Sequence, residues 1–510
     1  MIHETLLILD FGSQYTQLIA RRVREVGVFS EIRRGDLPAA EITRLAPVGI
    51  VLSGGPASVY AEGAIRPDAA VFQQGVPVLG VCYGLQTMVL ELGGQVAAAG
   101  NHEYGAAELL AQLDCPLFAG TTEHQKVWMS HGDRVTRLPG GFVAVGCTSG
   151  TPFAAIADPA RRLYGIQFHP EVRHTDHGRR ILDNFLDICQ AKRDWTAASI
   201  RHDAVARIRE QAGDGRIIVG LSGGVDSSVT TLLCRAAVGA NTVPIFVDTG
   251  LLRLDEGDEV ERRFAAYGLP IDRINAAERF FSRLAGIEDP EEKRRRIGHE
   301  FIAVFEEQAR RYPDARFLAQ GTLYPDVIES ISVRGPSATI KTHHNVGGLP
   351  QRLGLGLVEP LRDLFKDEVR RLGVELGLPD ELVWRHPFPG PGLAVRILGE
   401  VTPERVALLQ RADAIFMDEI REAGLYRAIA QALTVLLPVR SVGVMGDQRT
   451  YENVAALRAV TTEDFMTADW FRFPSEVLDR VARRIVNEVR GINRVVYDVT
   501  SKPPGTIEWE

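Results

Sequence analysis

Three β-branched residues, Ile217-Ile218-Val219, lead into Leu221-Ser222-Gly223-Gly224-Val225-Asp226-Ser227-Ser228, and Val229, Leu232 and Leu233 follow at helical spacing. The apolar run reads as a buried strand, the paired glycines as a tight turn, and the rest as the start of a helix. Backbone N–H groups converging at such a turn make an anion site, and the helix dipole adds positive potential. Ser222, Ser227 and Ser228 supply hydroxyl donors, and Asp226 is a carboxylate suited to Mg²⁺. The ordinary phosphate loop ends in Gly-Lys-Ser/Thr, with its lysine on the terminal phosphates. No lysine stands in this heptapeptide, so it suits a free pyrophosphate-like group better than γ-phosphoryl transfer.

The same strand–turn–helix grammar governs the first third of the chain. Strands are predicted at Leu6 to Leu9, Gly49 to Leu52 and Pro77 to Val81, and helical periods follow the first and third. Alternation of this kind predicts an α/β fold with a parallel sheet wound on both sides. Ligands in such sheets sit outside the carboxyl ends of the strands. Cys82 falls at such an end, inside Gly80-Val81-Cys82-Tyr83-Gly84. That pattern is a sharp turn that exposes its central side chain, and the helix behind it favours a thiolate. A cysteine nucleophile needs a base and an orienting group. Ile166-Gln167-Phe168-His169-Pro170-Glu171 supplies candidates, because His169 and Glu171, two apart in an extended segment, project to one side.

On these flanks residues 1–190 resemble class I glutamine amidotransferases, and Ser222 to Ser228 resembles the loop of N-type ATP pyrophosphatases, which adenylate a carbonyl oxygen. The first resemblance implies Gly55 and Tyr83 as oxyanion-hole donors, from Ser53-Gly54-Gly55-Pro56 and the residue after Cys82. It implies that Gln86, Ser130 and His131 hold glutamine, which makes His131 a poorer base candidate than His169.

Gln320 to Ser330, Lys341-Thr342-His343-His344-Asn345 and the final Lys502-Pro503-Pro504-Gly505-Thr506-Ile507-Glu508-Trp509-Glu510 narrow the match. They resemble the amidotransferase family that aminates xanthosine 5′-monophosphate (XMP) to GMP. That resemblance implies ATP and Mg²⁺ as required partners of the reaction, with Asp226 on the metal. It implies Arg294, Arg440, Lys502 and Glu508 around XMP, and a homodimer formed through the C-terminal domain. The His343-His344 pair has no third ligand at useful spacing and reads as a loop over the site. Asp363, Lys366 and Asp367 read as a helix start, with surface charge as the plainer account, above all for Asp363.

The chain's 510 residues suggest about three domains. The polar stretch 191–203 reads as a linker after residues 1–190, the adenylating domain as 204–385, and a smaller α+β domain as 386–510. Proline and glycine crowd His386 to Leu393 at that last boundary. A net charge of −8 gives no global footprint for nucleic acid, and no apolar segment has membrane-spanning length. Five scattered cysteines and an N-terminus without a basic leader point to the cytoplasm. Two rivals are weaker. A tRNA-thiolating enzyme needs a sulfur-carrying cysteine in the second domain, where Cys234 lies within the helix after the loop. A nucleotide-sensing module with a dead glutaminase has no use for an intact Cys82, His169 and Glu171.

Overall fold

The computed structural model describes residues 3–510 apart from 57, 331–352, 446–447, 463–464 and 466; the His343-His344 loop lies outside the described residues. The chain divides into two compact units, one carrying Met1–Asp203, the other Ala204–Tyr324 and the C-terminal part to Glu510.

Nine strands form the sheet of the first unit among the described residues: β1 (Thr5–Asp10), β2 (Phe29–Arg34), β3 (Gly49–Leu52), β4 (Val78–Val81), β5 (Gln95–Ala111), β6 (His124–Arg137), β7 (Val143–Cys147), β8 (Ala155–Asp158) and β9 (Leu163–Ile166). They run in the order β2-β1-β3-β4-β9-β8-β7-β5-β6. The first five are parallel, and their apolar residues, Leu6 to Leu9, Ile50 to Leu52 and Leu79 among them, are fully buried, as strands covered on both faces require. To this the structure adds an antiparallel half, β8, β7, β5 and β6, that the sequence reading had not drawn. Along β6 burial alternates, so Val127, Met129, His131, Asp133 and Val135 share the inner face. Helix α1 (Tyr83–Glu91) follows β4 directly; the sequence predicts a single apolar face there, but every residue from Tyr83 to Val89 is buried.

In the second unit β10 (Arg216–Leu221), β11 (Thr242–Asp248), β12 (Asp272–Asn275), β13 (Ala315–Ala319) and β14 (Gly356–Val358) are all parallel, in the order β12-β11-β10-β13-β14. Helix α2 (Val225–Val238) follows β10. A second sheet joins β15 (Gln431–Met445), β16 (Gln448–Thr461), β17 (Asp469–Trp470) and β18 (Ile492–Tyr497). One hydrophobic core runs from Ile218 and Phe305 through Leu409 and Phe416 to Val481 and Ile492, across position 386. The polar stretch expected as a linker is helical from Ala197. No described helix is long and apolar enough to cross a membrane.

The turn after β4 has no room for side chains. A Cβ on Gly84 would meet the Leu52 carbonyl oxygen at 2.2 Å, and one on Gly80 would meet the Gly84 carbonyl oxygen at 2.7 Å. Gly84→Ala should therefore push α1 off β3. Overpacking of this kind costs roughly 1–3 kcal/mol, so amides of β3 and β4 should exchange with solvent on the order of tenfold faster or more. Hydrogen exchange read by mass spectrometry measures this.

Candidate active sites

The sheet register builds the first site. Val81 pairs with Ile166, and the Cys82 N–H donates to the Ile166 carbonyl at 2.8 Å, so β4 and β9 end level with each other. Cys82 itself has φ +52°, a left-handed conformation that costs a non-glycine residue of order 1 kcal/mol and marks a turn held by its surroundings. It caps α1 at the N-terminus, beside the helix's free backbone N–H groups.

His169 and Glu171 lie beyond β9. They sit in a turn rather than the extended segment expected, yet they meet: His169 Nδ1 is 2.7 Å from Glu171 Oε1. Trp128 accepts the His169 backbone N–H at 3.0 Å, and the Thr175 hydroxyl donates to the His169 carbonyl at 2.6 Å. Burial of His169 opposes its charged form. The Glu171 carboxylate and hydrogen bonds to the side chains of Cys82 and Glu171 outweigh that and hold its pKa well above 6.5. Cys82, His169 and Glu171 are therefore linked in one hydrogen-bonded series.

His131 goes the other way. Burial lowers its pKa, and Glu103, with Oε2 3.4 Å from Nε2 but no hydrogen-bond geometry, offsets this only in part. The ring is neutral at pH 7, with Nδ1–H donating to the Asp133 carbonyl at 3.0 Å. Gln86 is buried beside it and donates to the same carbonyl at 2.7 Å. The Ser130 carbonyl lies 3.6 Å from Cys82 Sγ. A Cβ on Gly54 would come within 3.2 Å of His169 Cε1, and one on Gly55 within 3.0 Å of Tyr83 Cγ. Glycines 54 and 55 thus let their loop close on both the base and the residue that follows the nucleophile.

The second site is the turn from β10 to α2. Gly223 has φ +76°; Ser222 N–H donates to Ser227 Oγ at 3.1 Å, and Ser227 Oγ donates to the Gly224 carbonyl at 3.1 Å. Ser228 is fully buried, and its hydroxyl has no hydrogen-bond partner among the described residues; nor has Asp226 Oδ1. Orphaned acceptors and donors in a glycine turn fit a phosphate with a bound cation. The other Asp226 oxygen is 2.5 Å from Lys366 Nζ. Lys366 heads the helix Lys366–Glu375. A lysine does reach this loop, from 140 positions downstream, and no local motif could have shown it. Asp363, by contrast, pairs at the surface with Arg207 at 2.9 Å.

The C-terminal candidates are only partly gathered. Glu508 is clamped by fully buried Arg396, at 2.9 and 3.1 Å, and by Gln431 at 2.7 Å. Arg294 donates to the Glu510 backbone oxygen at 2.6 Å, and buried Lys293 beside it reaches the Glu510 carboxylate at 2.6 Å. Lys502 is bridged to Ala468 through the backbone, with Nζ on the Phe465 carbonyl at 2.7 Å. Arg440 is exposed on β15, with the Tyr451 carbonyl 3.4 Å away, and makes no described contact with the other three. Arg458, missed by sequence reasoning, organises the tail: it donates to the carbonyls of Thr500, Thr506 and Ile507 at 2.8 to 2.9 Å and pairs with Asp498 at 2.7 Å. An arginine in a strand carries no signal of such a role.

A Cys–His–Glu triad at the strand ends of one α/β unit and a lysine-backed glycine turn in another define a glutamine amidotransferase joined to an ATP-using unit. Family models agree: glutamine amidotransferase class-I over residues 7–189, NAD synthase over 199–248, and GMP synthase C terminal domain over 418–509. Full-length relatives named GMP synthase [glutamine-hydrolyzing] include those of Phenylobacterium zucineum, 60% identical over 100% of this chain and 99% of the relative, and Aquifex aeolicus, 53% identical over 100% of each. The chain belongs to the glutamine-hydrolysing GMP synthase family.

Glu171→Gln keeps the shape beside His169 and removes the charge. The imidazolium should then lose its proton at lower pH, and glutamate release should fall on the order of a hundredfold or more, as loss of a tuned general base does. The His169–Glu171 pair also stabilises the fold below the ordinary histidine value of 6.5, and that contribution fades as pH rises through the higher folded-state value. Glutaminase pH profiles and urea titrations at several pH values check both.

Proposed function

We infer that this chain makes GMP from XMP, ATP and glutamine. The observation that carries the reading is the triad itself, Cys82, His169 and Glu171, assembled in a chain that also carries the Ser222–Ser228 turn. Cys82 attacks the glutamine carboxamide, His169 takes the thiol proton and returns it to departing ammonia, and water releases glutamate from the thioester. The backbone N–H groups of Gly55 and Tyr83 meet the oxyanion. Gln86, Ser130 and His131 position glutamine. In the second unit Ser222, Gly223, Gly224, Val225, Asp226, Ser227 and Ser228 hold the ATP phosphates, and Asp226, with its orphaned oxygen, would hold Mg²⁺, which would supply positive charge for the pyrophosphate leaving group. The 2-oxygen of XMP is adenylated, and ammonia displaces AMP.

The division of labour follows the same reading: residues 1–190 for glutamine, 191–203 as the connection, 204–385 for ATP, and 386–510 for XMP and the dimer. Arg294, Arg440, Lys502 and Glu508 are assigned to XMP. A homodimer through the C-terminal domain is supported by Val442, Val444 and Tyr451, apolar and exposed on β15 and β16. Five free cysteines support a cytoplasmic setting, with no part for nucleic acid or membrane. Cys234 is fully buried, with its thiol pushed up to about 12, which removes it as a sulfur carrier for a thiolation reaction.

Cys82→Ala is the test. Synthesis from glutamine should vanish, while synthesis from XMP, ATP and ammonium salt should stay near the parent rate and rise with pH as free ammonia increases. Glutamine-driven synthesis persisting in the variant would place the nucleophile elsewhere. Asp226→Ala should abolish AMP release with either nitrogen source, read by coupled assay at saturating ammonium; near-normal turnover would remove Asp226 from the mechanism.

A further inference from the structure

Gln167 is fully buried and has no part in the triad, yet it lies against the reacting atom. The β4–β9 ladder puts it there. Val81 pairs with Ile166, so Cys82 and Gln167 leave the sheet side by side. Gln167 Nε2 is 3.7 Å from Cys82 Sγ, within hydrogen-bond range for sulfur.

The orientation of this amide is set from its far end. Gln86 Nε2 donates to the Asp133 backbone carbonyl at 2.7 Å, an acceptor that takes nothing but a donor, and lies 3.4 Å from Gln167 Oε1. Flipping Gln167 would set two amide NH₂ groups against each other and turn an oxygen towards the sulfur. A polarised run therefore leads from the Asp133 carbonyl through Gln86 and Gln167 to Cys82.

In the thiol form the S–H faces the Ser130 carbonyl at 3.6 Å. Once the proton has moved to His169, that carbonyl repels the sulfur, whereas an N–H donor gains, because hydrogen bonds to ionised acceptors are about twice as strong. The ionisable groups around the pair are His169 with Glu171 behind it, and His131 with Glu103 from β6 and β5. Gln167 differs from all of these in carrying no charge of its own.

We propose that Gln167 is a catalytic residue of the glutaminase site, whose side-chain N–H stabilises the Cys82 thiolate before it attacks glutamine. The proton passes from Sγ to the His169 imidazole, and the electron pair left on sulfur accepts the Gln167 N–H. Attack then consumes that pair in the new S–C bond, so the donor acts on thiolate formation and not on the oxyanion.

The test is the pH dependence of Cys82 alkylation by iodoacetamide in the parent, Gln167→Leu and Gln167→Asn. Leucine removes the amide at similar volume. Asparagine keeps a polar group, so it preserves the fold if leucine does not, but it withdraws the donor from sulfur by one carbon. Both variants should move the alkylation midpoint up by about one pH unit, with glutamine kcat down about tenfold at neutral pH and KM within about twofold. A midpoint that stays put or moves down in a folded variant overturns the proposal, whatever happens to stability. The inference rests on glutamine hydrolysis at Cys82. That reading fails separately, by glutamate release persisting in Cys82→Ala.

Discussion

The chemistry of the first unit depends on one backbone hydrogen bond, from Cys82 N–H to the Ile166 carbonyl, and on the parallel register it closes. Neighbouring strands lie about 4.8 Å apart, so residues leaving β4 and β9 at the same level must share one rim of the sheet. Cys82, Gln167 and, two residues on, His169 are neighbours for that reason, although 85 positions separate the first two. The left-handed turn at Cys82 is the cost of aiming the thiol at His169 and Gln167, where it is buried and not exposed as the elbow pattern suggests, and the contacts of Gly80 and Gly84 with the backbone beneath them hold it there.

The two buried histidines show how neighbours and not residue type decide function. His169 and His131 are almost equally buried, and burial disfavours the imidazolium in both. Glu171 meets His169 in line at 2.7 Å, and its charge overturns the burial effect. Glu103 stands 3.4 Å from His131 without alignment, and does not. One ring is held in its protonated form; the other stays a neutral donor, hydrogen-bonded to the Asp133 carbonyl.

Local patterns were legible in the sequence wherever a turn dictates chemistry. The glycine turn after β10, the elbow at Cys82 and the His169–Glu171 pair are each contained within a few residues, and hydrophobic period gave the strands that carry them. What the sequence hid was long-range. The antiparallel half of the first sheet begins in β5, whose Gln95-Val96-Ala97-Ala98-Ala99 favours helix locally and becomes strand by pairing with β6. Lys366 reaches Asp226 only because β13, β14 and the helix Lys366–Glu375 return the chain to the loop. Gln167 stood in full view beside His169, but its meaning required the register of a strand 85 residues away. Lys293, among the charged residues Asp289 to Arg296, is wholly buried, which a run of charged neighbours does not suggest.

The C-terminal tail is tied down more firmly than a chain end usually is. A terminal segment usually frays because few bonds offset its ordering entropy. Here Arg458 takes three tail carbonyls, and Lys293 and Arg294 hold Glu510. These bonds hold the tail in place. That order has a consequence for the proposed contacts. Glu508 already accepts three hydrogen bonds from Arg396 and Gln431, so a nucleotide donor can only add to a carboxylate whose position and charge are spoken for. Lys502 has its backbone fixed by Ala468 and its ammonium on a surface carbonyl. A phosphate outbids a neutral carbonyl for an ammonium, since the charged pair is the stronger hydrogen bond. Of the two, Lys502 has the neutral, exchangeable partner and Glu508 the charged, fixed one.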